Sequence, residues 1–147
     1  MSLSIAFHGA SGMVTGSKFL VTADETEVLV DCGMFQGVRE VRELNWLPSP
    51  FRPSAPEAVL LTHAHVDHTG WLPKLVKEGF RGPIYTTPAT AEMTRILLLD
   101  SAKIQEEDAE YANKKGFSRH KPALPLYTER DVERTLDLLR TVDYREP

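Results

Sequence analysis

One string restricts this chain more than any other: His63-Ala64-His65-Val66-Asp67-His68. Three of the five histidines fall inside it. From the chain's own histidine and aspartate frequencies, such a string arises by chance on the order of three times in ten thousand chains of this length. Its setting sharpens the reading. Ala58-Val59-Leu60-Leu61-Thr62 before it is a short apolar run, expected to be a strand buried on both faces of a sheet. After it, Leu72, Leu75 and Val76 fall on one helical stripe that Gly79 closes. The histidines therefore sit at the carboxyl end of a strand, where α/β sheets bind their ligands.

The residue types in the string are those a metal ion needs. In extended chain His63 and His65 project to one side, because side chains alternate with period two. The turn that follows presents Asp67 and His68 together. Imidazole and carboxylate donors suit Zn²⁺, with Mn²⁺ or Fe as alternatives. Four donors at this spacing fit two adjacent ions, His63 and His65 on the first and Asp67 and His68 on the second. Asp31 ends another apolar run, Val28-Leu29-Val30, and is placed at the same sheet edge. There its carboxylate is suited to accept the second ring N–H of a ligating histidine.

The rest of the chain reads as one α/β domain. Ile5-Ala6-Phe7-His8 leads into the glycine-rich turn Gly9-Ala10-Ser11-Gly12. Phe19-Leu20-Val21-Thr22 and Val28-Leu29-Val30-Asp31 form a hairpin around Asp24-Glu25-Thr26. Between Met34 and Pro56, four prolines leave room for a short helix and an irregular loop. Ile84-Tyr85-Thr86 is a further strand. A long helix from about Thr90 is expected to pack through Met93, Ile96, Leu97 and Ile104. Thr128-Glu129-Arg130-Asp131 carries a capping signature for a last helix through Val132, Leu136 and Leu139. The expected class is α/β, a mixed sheet with flanking helices.

Composition narrows function from the other side. The net charge of −4 excludes a generally basic nucleic-acid binder. No run approaches the roughly 18 apolar residues of a membrane helix. Cys32 is the only cysteine, so no internal disulfide forms and a reducing, cytoplasmic compartment is expected. Lys114, Lys115, Arg119, His120 and Lys121 make a basic stretch that reads as a solvated loop.

The strand-end Asp31 followed by the His-x-His-x-Asp-His string resembles the metallo-β-lactamase superfamily. Three further stretches, residues 9–17, 31–37 and 100–107, resemble its β-CASP branch of RNA-processing nucleases. The resemblance implies a four-layer αββα sandwich, of which residues 1–147 would be the N-terminal part, lacking the C-terminal half and the inserted β-CASP domain. It implies two zinc ions, with His63, His65, Asp67 and His68 as ligands. Asp31 would orient a ligand histidine, and Asp67 would hold the nucleophilic water. RNA is the implied partner and substrate, cleaved at phosphodiester bonds by metal-activated hydroxide, with the isolated piece inert or weak. Another hydrolase of the same fold, acting on a thioester, lactone or small phosphodiester, is the first rival. A non-catalytic RNA- or protein-binding module is the second. A half-sandwich would also leave one sheet face uncovered, favouring a homo-oligomer.

Overall fold

A computed structural model describes residues 1–145. Its strands are β1 (Leu3–Phe7), β2 (Phe19–Ala23), β3 (Thr26–Val30), β4 (Ala58–Leu60), β5 (Ile84–Thr86) and β6 (Leu139–Thr141). Its helices are α1 (Arg39–Glu43), α2 (Val66–Thr69), α3 (Leu72–Glu78), α4 (Pro88–Lys115) and α5 (Glu129–Leu136), with a 3₁₀ turn at Leu44–Trp46. The strands form one sheet in chain order, antiparallel through β1, β2 and β3 and parallel from β3 to β6. This is a mixed sheet with flanking helices.

Each element follows from local chemistry. The β2–β3 hairpin closes over two residues, with Asp24 in the left-handed region at φ 54°, a conformation aspartate tolerates better than most residues. Leu72, Leu75 and Val76 are buried on α3, which ends at Gly79 with φ 128°. α5 begins with a full capping box, Thr128 and Asp131 each satisfying the other's backbone N–H.

The register puts Ala6, Leu20, Leu29, Val59, Ile84 and Leu139 in one row across the sheet. From Leu20 to Ile84 this row is buried beneath the helices, in one core with Leu72, Leu75, Leu98, Val132 and Leu136. Each fully buried aliphatic side chain contributes about 1.5–3 kcal/mol. The next row, Phe7, Phe19, Val30, Leu60 and Tyr85, lies on the opposite face. No described element covers it: Phe7 is 63%, Leu60 42% and Tyr85 39% exposed.

Three sequence expectations need correction. The run at 58–62 is buried on one face only, since Leu60 belongs to the open row. Hydrophobicity alone marks both faces as apolar without showing that something packs there. Leu139 does not continue α5 but opens β6, because pairing with Ile84 at the sheet edge outcompetes another helical turn.

α4 packs through Thr94, Leu98 and Ala102, whereas Met93, Ile96 and Ile104 are half or more exposed. The small Thr94 and Ala102 allow close approach, and polar side chains then lock the helix against residues 126–129. Gln105 accepts from the Leu126 N–H, Ser101 pairs with the Tyr127 hydroxyl at 3.0 Å, and Glu106 accepts from the Glu129 N–H. The stretch at 100–107 thus clamps the entry to α5.

Candidate metal centre

The site forms where the loop after β3 runs beside the segment after β4. In that segment His63 and His65 stand on loop, but Asp67 and His68, expected on the same loop, lie on the single-turn helix α2. After β3 the chain turns sharply at Asp31, a non-glycine residue at φ 59°, a conformation that costs about 1–3 kcal/mol and persists where surroundings enforce it. The surroundings here are backbone hydrogen bonds. The Cys32 N–H donates to the His68 carbonyl at 2.8 Å, Met34 N–H to Val66 at 3.0 Å, and Trp71 N–H to Cys32 at 3.0 Å. Ser17 N–H reaches the Asp67 carbonyl at 2.9 Å, and Gly33 N–H the Ser17 carbonyl at 2.8 Å. The loops are so close that a Cβ on Gly33 would lie 1.6 Å from the Asp67 carbonyl oxygen. Only glycine fits.

The loop pair aims side chains at one point. Ligating atoms of Asp31, His63 and His68 all lie within 4.8 Å of one another. His65 stands edge-on to His63 with ring centroids 4.7 Å apart, and His63 lies 4.0 Å from His68 by the same measure. Asp67 Oδ2 is 3.7 Å from His68 Nε2. The structure thus brings Asp31, His63 and His68 into one group, whereas His65 meets it only through its ring contact with His63 and Asp67 only through its 3.7 Å approach to His68.

Asp31 organises the cluster. Its carboxylate is nearly inaccessible and accepts three hydrogen bonds: from the Thr62 N–H at 2.8 Å, the Thr62 hydroxyl at 2.7 Å, and His68 Nδ1–H at 2.8 Å. An ionised carboxylate only accepts, so Nδ1 of His68 carries a proton; in the neutral ring Nε2 then keeps the lone pair, 3.7 Å from Asp67 Oδ2. The same logic passes through Thr62. Its single proton goes to Asp31, so its oxygen must accept from His63 Nδ1, 2.9 Å away. His63 Nε2 is thereby also left as a lone pair. One buried carboxylate sets two imidazole tautomers, both of the kind that ligates a cation.

Sequence reasoning gave Thr62 no role. The available signal was a hydroxyl residue between a strand end and the first histidine. Nor does local pattern mark Gly33, because the close backbone approach that requires it exists only when residues 66–68 are in place. Cys32, 0% exposed, is a packed thiol that burial pushes up to about 12, beyond the range of a ligand or nucleophile.

A mixed α/β sheet carrying imidazoles and carboxylates at the carboxyl edge of β3 and β4 defines the class, an α/β protein with a candidate metal site at that edge. The chain belongs to the metallo-beta-lactamase superfamily, whose pattern matches residues 13–142. Ribonuclease TTHA0252 of Thermus thermophilus is 44% identical over 144 residues, 98% of this chain and 29% of that protein. Transcription termination factor FttA of Cenarchaeum symbiosum is 35% identical over 146 residues, 97% of this chain and 20% of that one. The chain thus spans less than a third of either relative. Among solved structures, the metallo-beta-lactamase SMB-1 shares 18% identity with a TM-score of 0.47, over 97% of this chain and 44% of that chain.

Proposed function

We propose that this chain provides the metal-binding part of a zinc-dependent ribonuclease of the β-CASP type. The observation that carries the reading is the convergence of Asp31, His63 and His68, one ligating atom of each lying within 4.8 Å of the others, with the Asp31–Thr62 relay engaging Nδ1 of both rings. A borderline cation is what such a donor set fits. His63 and His65 would hold one ion, and Asp67 and His68 a second. Bound zinc supplies Lewis acidity and lowers the pKa of water to about 7.

The chain's own residues do the rest. Asp31 holds His68 in its ligating tautomer, Thr62 does the same for His63, and Asp67, 3.7 Å from His68, would hold the nucleophilic water. RNA as substrate is supported by the name of the Thermus thermophilus relative, a ribonuclease. A lone, deeply buried cysteine suits a cytoplasmic setting. The open row from Phe7 to Tyr85 is proposed to pair two copies of the isolated chain, which on its own is inert or weak as a nuclease.

The test is metal content together with RNA cleavage. The purified chain is expected to retain zinc above a His63→Ala/His65→Ala variant, and a full-length protein carrying the same double substitution to lose cleavage by a factor of at least about 10³. Unchanged zinc content in the double variant would overturn the metal assignment. Cleavage of thioesters or lactones in place of RNA would overturn the substrate.

A further inference from the structure

Behind the metal loops lies a cleft of about 260 Å³ that the proposed activity does not use. Its wall includes Lys18, which is 2% exposed. The ammonium donates to the Gly33 carbonyl at 2.6 Å and sits 4.6 Å from the Phe35 ring centroid and 5.0 Å from that of Trp71. Phe35 and Trp71 line the same cleft. Among the described residues no carboxylate lies within ion-pair distance of Lys18. The mouth is apolar, with Leu47 at 55% exposed and Pro48 beside it, and His8 stands at one side.

A buried charge without a counter-ion is expensive, and one removed from water is tolerated only when hydrogen-bonded and paired. An ammonium has three donors. One goes to Gly33, and the rings of Phe35 and Trp71 lie beside the ammonium. Among the described residues no acceptor meets the other two N–H groups. Burial accordingly draws Lys18 below the ordinary lysine value, partly opposed by Cys32, and His8 is lowered by burial and by Lys18. The fold thus holds an ammonium in the wall of an open, largely apolar cleft.

We propose that this cleft is a binding site for a small organic anion, its carboxylate or phosphate head on Lys18 and its apolar body against Leu47 and Pro48. The volume lies just below the roughly 300–1,000 Å³ of ordinary small-molecule sites. That suits a single-ring body rather than a nucleotide or a polymer. The site stands independently of the metal centre, although Gly33 links the two: Lys18 holds its carbonyl, and its Cα packs on Asp67.

The experiment is an NMR titration of the metal-stripped ¹⁵N-labelled chain with benzoate, phenyl phosphate and the neutral benzyl alcohol. The Trp71 indole N–H and the Gly33 and Phe35 amides are followed. Benzoate or phenyl phosphate is expected to shift these signals saturably with Kd near 1 mM, and benzyl alcohol to bind at least about tenfold more weakly. Whichever anion binds tighter identifies the head group. Lys18→Met is expected to lose the anion preference while Lys18→Arg keeps it, with far-UV circular dichroism confirming both folds. No saturable shift below about 20 mM, or equal binding of benzyl alcohol by the unaltered chain, would overturn the site, and this comparison needs no variant. Retention of the anion preference in a folded Lys18→Met protein would overturn the role of the ammonium.

Discussion

The relay from Asp31 through Thr62 to His63 makes a demanding prediction for Thr62→Val. Valine keeps the β-branched shape at the strand end and leaves the backbone N–H to Asp31 intact. It removes only the hydroxyl, which gives a 2.7 Å hydrogen bond to a carboxylate and takes one of 2.9 Å from His63 Nδ1. A hydrogen bond to a charged partner contributes about 1.5–3 kcal/mol, and a neutral one about 0.5–1.5. Thr62 is exposed, so water replaces part of this, and a net loss of about 2 kcal/mol is expected.

For a domain of this size that lowers Tm by about 4–8 °C, at roughly 2–4 °C per kcal/mol. The more specific consequence is at His63. Without the hydroxyl, nothing holds the proton on Nδ1, and the ring redistributes between tautomers. In the metal-free protein, long-range ¹H–¹⁵N NMR of the imidazoles should show His63 leaving the Nδ1–H form while His68, still bonded to Asp31, keeps it. Zinc affinity should fall about 10–100-fold, as for other groups that orient a ligand. An unchanged His63 tautomer, or equal shifts in His63 and His68, would refute the relay.

Other outcomes follow from the same contacts. Asp31→Asn retains one acceptor for the Thr62 N–H but none for both Thr62 Oγ1 and His68 Nδ1, so both histidines should lose their fixed tautomers and thermal unfolding should move down further than in Thr62→Val. Gly33→Ala forces a Cβ to 1.6 Å from the Asp67 carbonyl oxygen. The two loops must part, and the variant should be either unfolded by circular dichroism or devoid of zinc binding. Burial raises Tyr127 from about 10 to about 12, so its contribution to stability is complete below about pH 10 and is lost as pH rises toward 12. Comparing Tm at pH 9 and pH 11 should show a smaller drop in Tyr127→Phe than in the parent. Phe7→Lys or Leu60→Lys, both on the open face, should convert an oligomer of the isolated chain to monomer in light scattering; a parent chain that is already monomeric at high concentration contradicts the proposed pairing.

The sequence by itself was enough for the strand before His63, helix α3 after it, the β2–β3 hairpin and the capping box at Thr128, but not for α2, the single turn that carries Asp67 and His68. In each, the determining interactions are short-range: side-chain alternation, a turn residue, a hydroxyl three residues from a carboxylate. The ligand loop was legible for the same reason, since metal chemistry demands several donors close together in the chain.

What the tertiary structure alone decided is long-range. Asp31 and Thr62 are 31 residues apart, and only the parallel pairing of β3 with β4 brings them within hydrogen-bond distance. Which stripe of α4 packs inward was decided by the side chains that receive residues 126–129, not by the hydrophobicity of Met93 or Ile104. The burial of Lys18 depended on Phe35 and Trp71 arriving from two other segments. Local pattern says which residues are apolar or ligand-like, but the partner that buries, orients or abandons each of them is supplied by strand order, and strand order is a property of the whole chain.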